Sequence, residues 1–526
     1  MLNDWLLRVY NDDYRTTILT RKENMSRATI STGNFSLSDE HHKKHNLQSS
    51  NGKSDCHIAI LADFSGRNHR QLNDITTIKN RKIIEVDRDN FDEVFAQLDV
   101  QCHLPLADEP MCFAELDDMH PDFIYEHVPL FNQFKVLKKK LKNPSTFVSA
   151  AEEIYQWHAS SIKGDPAAVT SNESTVDYSG SLLDSVLSGG GASVSRSQSD
   201  LQALVRDIVT PYVTAKPNPQ QKELMQSVDH ATSSLLRTIM HHPVFQQLES
   251  AWRSLYLLVR RIETNKHLKI FIIDVSEQEI IDDAAQAELS EQSQLYQLLH
   301  DKRSSVGSKP FSMVMVDAIF GEAEAGIHAL NTLGETAVAM NASLITGGSP
   351  QLAGCENLGL TPDKDDWKFT PKSELYEAWT LLRKTACASH IALVAPRYLT
   401  RMPYGKKTSP IDSFSYEELP DEGKHAYYLW SNGAWLVTLL VAQNYALSGA
   451  KYIDQIQEIE KLPLHVFESD GESCVTPCAE INTYDSAASA LRDEGLMVVR
   501  SILNSDRVVV PELLSISSVN ACLLSV

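Results

Sequence analysis

An α/β (α+β) fold, built as two layered units joined by a flexible linker, is what this sequence predicts, and three observations predict it. The first is residues 241–261, HHPVFQQLESAWRSLYLLVRR. Pro243 sits where a first helical turn tolerates a missing N–H. Phe245, Leu248, Trp252, Leu255 and Val259 then recur at helical spacing, which makes this a core helix. Glu249 precedes Arg253 by one turn, the favourable order for an ion pair, and Arg260 and Arg261 close the helix at its negative end. The second observation is the apolar run that follows at 268–275, LKIFIIDV, the pattern of a buried strand. Helical and strand patterns go on alternating after it, as a layered α/β domain requires. The third is the Ser-, Gly-, Ala- and Thr-rich stretch 159–200, including Ser188-Gly-Gly-Gly-Ala192, which separates that region from an earlier α/β unit.

At 526 residues, the chain is too long for one core. Its net charge of −21 disfavours nucleic acid and anionic membrane surfaces as partners. The longest apolar run, 434–442, falls short of the ~20 residues that a bilayer span needs, and no secretory leader is visible at the N-terminus. The composition therefore reads as cytoplasmic. Eight cysteines are scattered; Cys474 and Cys478 lack a second pair to complete a zinc site and read as free thiols.

In chain order, residues 1–54 form a polar tail in which His41, His42 and His45 read as solvated side chains. Residues 55–158 form the first unit. Strands are expected at 57–64 and 81–86, and a helix capped from 87–90 carries Phe91, Val94, Phe95 and Leu98. One helix is expected to run from about 117 to 143, and another from 147 to 157. Residues 159–220 are the linker. Within it, Leu182, Leu183, Val186 and Leu187 form a short amphipathic segment that is either a local cap or a bait helix for a partner's groove. Residues 221–526 form the second unit. Helices are expected at 201–209 (still within the linker), 222–240, 325–342, 374–385 and 422–446. Strands are expected at 311–317, 343–346, 390–395, 464–468 and 496–502.

Chemistry is harder to find. Gly405-Lys-Lys-Thr408 fails as a phosphate loop, because Thr400 stands where glycine is needed and an extra Lys intervenes. Asp63-Phe-Ser-Gly66 and Gly347-Gly-Ser-Pro350 end strands without a catalytic or dinucleotide pattern. His241-His242 reads as capping or packing at a helix start. The loop 395–405, with Arg397, Arg401 and Tyr404, fits either an anion-binding loop or a set of turn-locking bonds at an interface, and the lack of a nucleophile favours the interface. No enzyme, cofactor or metal is expected.

Two parts of the chain resemble two proteins of one machine, the contractile sheath of the type VI secretion system. Residues 57–157 resemble the small sheath subunit, TssB (VipA), through Asp63-Phe-Ser-Gly-Arg67, Arg81-Lys82, Asp87-Arg-Asp-Asn-Phe-Asp-Glu-Val94 and Leu116-Asp-Asp-Met-His-Pro-Asp122. From Ser181 onward the chain resembles the large subunit, TssC (VipB). The carrying residues there are Ser181-Leu-Leu-Asp184, His241 to Glu249 with Trp252-Arg253, Pro396-Arg397, Arg401-Met-Pro-Tyr-Gly405, Leu429-Trp-Ser-Asn432 and Leu462-Pro-Leu464 with Asp470-Gly471. The order implies a natural fusion of two proteins that normally pair. The resemblance implies a structural role around an inner tube of Hcp-like protein, with other sheath subunits, baseplate components and a ClpV-type AAA+ ATPase as partners. It implies Leu182, Leu183, Val186 and Leu187 as the ATPase-binding segment, and a structural or interface role for Trp252, Arg253, Arg397, Arg401 and Tyr404. Large subunits continue past the point matching 508–524, so two readings stay open: a sheath component, or a sheath-like accessory such as a cap, a baseplate-proximal ring or an assembly regulator. An enzyme using the Arg397–Tyr404 loop is a third.

Overall fold

Strand β1 (Cys56–Ala62, CHIAILA) is buried along its whole length and is paired on both sides. On one side it runs parallel to β5 (Leu268–Asp274), from Cys56 opposite Leu268 to Ala62 opposite Asp274. On the other it runs parallel to β6 (Met313–Phe320), with Ile58 opposite Met313 and Leu61 opposite Val316. In this computed structural model, which describes residues 55–105, 109–162, 221–301, 309–420, 425–449, 457–469, 471–518 and 523, one seven-stranded sheet therefore draws on both segments. Its order is β14-β8-β7-β6-β1-β5-β2, where β2 is Ile84–Val86, β7 Ser343–Gly348, β8 Ile391–Ala395 and β14 Leu496–Val498. Only the edge strand β2 is antiparallel to its neighbour; the other pairs are parallel. The expected α/β class is observed, and the two segments are layered on a sheet that they share.

The sheet is covered on both faces, which is why its central strands read as continuous apolar runs. Ile58 and Ile60 of β1 face one core, and Ala59 and Leu61 face the other. The first core is closed by the first segment's helices, by α5 (Gln221–Met240) and α6 (Pro243–Arg261), and by α10 (Ala434–Ser448). The second is closed by α7 (Glu277–Gln286), α8 (Glu324–Met340), α9 (Ser373–Leu382) with the buried Trp379, and α11 (Asp485–Asp493). Helix α10 is apolar all round, as expected of a helix sunk in a core. Two of its buried polar side chains bond to the helix backbone: Thr438 donates to the Ala434 carbonyl at 2.8 Å, and Asn444 donates to that of Leu440 at 3.0 Å. No helix among the described residues is long and apolar enough to cross a membrane.

The structure changes several boundaries. The helix expected over 117–143 is two helices, α2 (Pro121–His127) and α3 (Asn132–Lys142), with Val128 extended at ψ 122° between them. Pro129 explains the break, because it removes a donor and bars helical geometry at the residue before it. The long helix expected from 422 starts only at Ala434; Trp430–Ser431 form a short strand, β10, paired with Tyr398–Leu399, β9. The run 496–502 divides between β14 in the main sheet and β15 (Arg500–Ser501) in a three-stranded sheet. Helix α4 (Phe147–Ile162) is longer than expected. The tail 1–54, the segment 181–187 and the helix expected at 201–209 lie outside the described residues.

Trp252 shows how the segments are joined. It is fully buried, its Nε1 donates to the Phe64 carbonyl at 2.8 Å, and its ring lies 5.1, 5.7 and 4.3 Å from those of Phe64, Phe91 and Phe95. All three phenylalanines belong to the first segment. Trp252→Ala is expected to cost ~3–5 kcal/mol and to lower the denaturation midpoint of both segments in one transition. Unfolding followed by circular dichroism and by tryptophan emission checks this; two separated transitions would count against a shared core.

Candidate functional site at the junction of the segments

The turn Asp63-Phe-Ser-Gly66 leaves β1 beside the end of β5, and Asp274 of β5 holds it. One Asp274 oxygen accepts the N–H groups of Phe64 and Ser65 at 2.9 and 3.0 Å; the other accepts the Ser65 hydroxyl at 2.7 Å. Asp63 closes the turn by accepting the N–H of Asn68 at 2.9 Å. Gly66 has φ +80°, and a Cβ there would run into the Gln101 carbonyl, so only glycine fits.

Below the turn lies a carboxylate clasp. Glu279 is fully buried and accepts from Arg67 Nε at 3.1 Å and from Arg81 at 2.8 Å. It also accepts the N–H groups of Ser276 and Asp74 at 3.0 and 3.1 Å. Burial alone would raise its pKa. The Arg81 and Arg67 hydrogen bonds and the Ser276 N–H override burial and bring it to about 2. Both arginines come from the first segment and the glutamate from the second. Sequence reading passed over Glu279, although Ser276-x-x-Glu279 is the spacing of a capping box, and the structure forms that box at the start of α7.

A second buried network surrounds Arg401. Its guanidinium donates to Glu249 at 2.8 and 3.2 Å and to Glu418 at 2.7 and 2.9 Å. Arg253 donates to Glu249 at 2.7 Å and to the Tyr404 hydroxyl at 3.0 Å. Glu418 also accepts the Tyr404 N–H at 2.7 Å, and the Arg401 guanidinium lies 4.4 Å from the centre of the Tyr404 ring. The Tyr404 ring also meets His120 of the first segment edge-on, with centroids 4.8 Å apart. Burial works against the charge on Glu249, and the charges and hydrogen bonds of Arg401 and Arg253 hold its pKa below the usual range. Asp122 of the first segment then accepts the N–H groups of Asp412 and Ser413, both at 2.9 Å. Trp252, Arg253, Arg401 and Tyr404 are thus brought to one junction.

Arg397 has a different partner. It binds Glu480 through its side chain and backbone, with His425 Nε2 3.0 Å from the same carboxylate. Burial would raise the Glu480 pKa, and Arg397 and His425 bring it down to about 2. A cavity of about 180 Å³ lies beside Arg397 at the ends of β6, β7 and β8. Gly405–Thr408 is a turn in which the Thr408 N–H donates to the Gly405 carbonyl at 3.1 Å. Cys474 and Cys478 are free thiols, and no cluster able to hold a metal is found among the described residues. Each network consists of carboxylates already saturated by cations and N–H groups. That arrangement fixes geometry.

The comparisons agree with this architecture. Residues 222–517 match the VipB family model, described as EvpB/VC_A0108, tail sheath N-terminal domain. Residues 55–157 match the VipA model, described as type VI secretion system, VipA, VC_A0107 or Hcp2. The chain belongs to the VipB tail-sheath family and carries a VipA-like segment ahead of that region, a fusion of the TssB-like and TssC-like kinds. It is 29% identical over 294 residues to the type VI secretion system sheath protein TssC1 of Pseudomonas aeruginosa. The match covers 54% of this chain and spans 59% of that relative's length.

Two outcomes test the networks. Arg401→Met strands two buried carboxylates and is expected to cost ~3–5 kcal/mol, read as a drop in denaturation midpoint. Glu279 has a folded pKa below its unfolded one, so its contribution is present above about pH 4.5 and is lost as pH falls toward 2. Arg81→Leu is expected to move the acid-unfolding midpoint to higher pH in a circular dichroism titration; an unmoved midpoint would show that the clasp contributes nothing.

Proposed function

We propose that the protein is a structural component of a type VI secretion contractile sheath, in which the single chain does the work of a small and a large subunit paired together. One observation carries this reading. The VipA-like segment supplies a central strand to the VipB-like sheet and cages Trp252, so the two matched segments make one building block. Family membership supports assembly with other sheath subunits. The closed ion-pair networks support a role in transmitting force through a stiff block, in place of catalysis.

Further assignments rest on the resemblance. The block packs around a tube of Hcp-like protein, meets baseplate components, and is dismantled by a ClpV-type AAA+ ATPase that grips Leu182, Leu183, Val186 and Leu187. Arg397 stiffens the loop after β8 through Glu480. The protein works in the cytoplasm, with no cofactor. Electron microscopy of the purified chain, alone and with the tube protein, is expected to show tubules; rings or monomers under both conditions would move the assignment to a non-polymerising accessory. Changing Leu183 and Val186 to Asp is expected to abolish capture by the ATPase in a pull-down. Undiminished capture would remove that segment from the interface.

A further inference from the structure

The sequence His-Pro occurs at two helix starts, and the structure uses it the same way both times. His120-Pro121 opens α2, and His242-Pro243 opens α6. Proline at the first helical position has no N–H, so the first donor needing an acceptor belongs to the next residue. In both helices the histidine ring supplies that acceptor. His120 Nδ1 accepts the Asp122 N–H at 3.2 Å, and His242 Nδ1 accepts the Val244 N–H at 3.3 Å. A ring nitrogen accepts only while it carries no proton, so both caps require a neutral imidazole. Aspartate, asparagine or serine, the usual caps, carry no such condition at neutral pH.

Both first turns hold the two segments together. In α2, Asp122 accepts from the backbone of 412 and 413, and the His120 ring meets Tyr404. In α6, the Phe245 ring packs edge-on against Phe113 at 6.2 Å. We propose that the two histidine caps make this junction acid-sensitive: protonation at Nδ1 of His242 and His120 removes the acceptor at the start of each helix and loosens the turns that join the segments.

The surroundings set the relative response. His242 faces His69, whose Nε2 is engaged with the Gln101 carbonyl and which itself lies near His103 and Arg70. Burial, and then the charge that His69 can carry, hold the His242 pKa below the ordinary histidine range. His120 faces Asp122 and Asp117 as well as Arg253 and Arg401. Burial dominates there too and lowers its pKa, but Asp122 Oδ2 stands 3.6 Å from Nδ1, ready to accept an imidazolium. Acid therefore trades the α2 cap for an ion pair, while α6 gains nothing in exchange. His241 is separate. It is stacked on Tyr427 at 4.2 Å, and burial with Arg401 and Arg237 nearby takes its pKa to about 3, so it stays neutral in the folded protein throughout the range concerned. Because the folded pKa values of His120 and His242 are depressed below the ordinary 6.5, the contribution of the caps is fully present above about pH 6.5, declines below it, and is lost as pH falls through those lowered values.

Hydrogen–deuterium exchange of the full chain at about pH 8 and about pH 5.5, corrected for intrinsic rates, tests this. The amides of 244–246 are expected to lose ~5–10-fold in protection at the lower pH, the value of one cap. Those of 122–124 are expected to lose less, and those of α8 nothing. His242→Asn supplies a cap that does not titrate and is expected to show equal protection at both pH values. The proposal is overturned if wild-type protection at 244–246 is the same at both pH values, or if His242→Asn loses as much as the wild type. Should that variant fail to fold, the wild-type comparison alone decides.

Discussion

The insertion of β1 between β5 and β6 is the constraint on which the rest of the molecule depends. A parallel central strand has no solvent edge, so its backbone groups must be satisfied by both neighbours or be buried unpaired. Withdrawing Cys56–Ala62 would leave β5 and β6 with facing rows of orphaned donors and acceptors, and would open both cores at once. The first segment is thus an integral layer of the second, which explains why its aromatic residues converge on Trp252, an indole far along the chain in the second segment.

Around that strand, charge is used to set position. Arg67 and Arg81 reach Glu279 across the segment boundary, and Arg401 is held between Glu249 and Glu418 deep in the second segment. Buried ion pairs contribute little net stability, because desolvation consumes most of the attraction, but breaking one strands a charge at high cost. Their effect is a steep penalty for any other arrangement of the same elements. Such a penalty fixes how the two segments sit on their shared sheet more sharply than extra apolar area would.

Much of this could be read from residues alone, and the failures have identifiable causes. Periodicity located α6, because Phe245, Leu248, Trp252 and Leu255 lie on one helical stripe, and all four are buried. It located β1 and β5 because strands covered on both faces are apolar throughout. Periodicity could not reveal that the two strands are neighbours, since register between distant strands is set by packing and leaves no local trace. The break at Val128–Pro129 was present in the sequence and was outweighed by the apolar stripe on either side. Of the junction residues, Trp252, Arg253, Arg401 and Tyr404 were singled out from the chain, whereas Glu279, Glu418 and Asp274 were not. A buried glutamate looks like any surface glutamate until its arginines are placed, and only the capping-box spacing around Glu279 offered a hint.

The distance along the chain between β1 and its partners has a consequence during synthesis. Strand β1 ends at residue 62, β5 begins at residue 268, and β6 does not finish until Phe320. At typical translation rates of ~5–20 residues per second, the apolar CHIAILA segment waits about 10–50 s outside the ribosome before both neighbours exist. Throughout that interval it is an unpaired apolar strand, the kind of element that seeds aggregation. The same topology that makes the finished block inseparable leaves the nascent chain dependent on whatever shields its first strand.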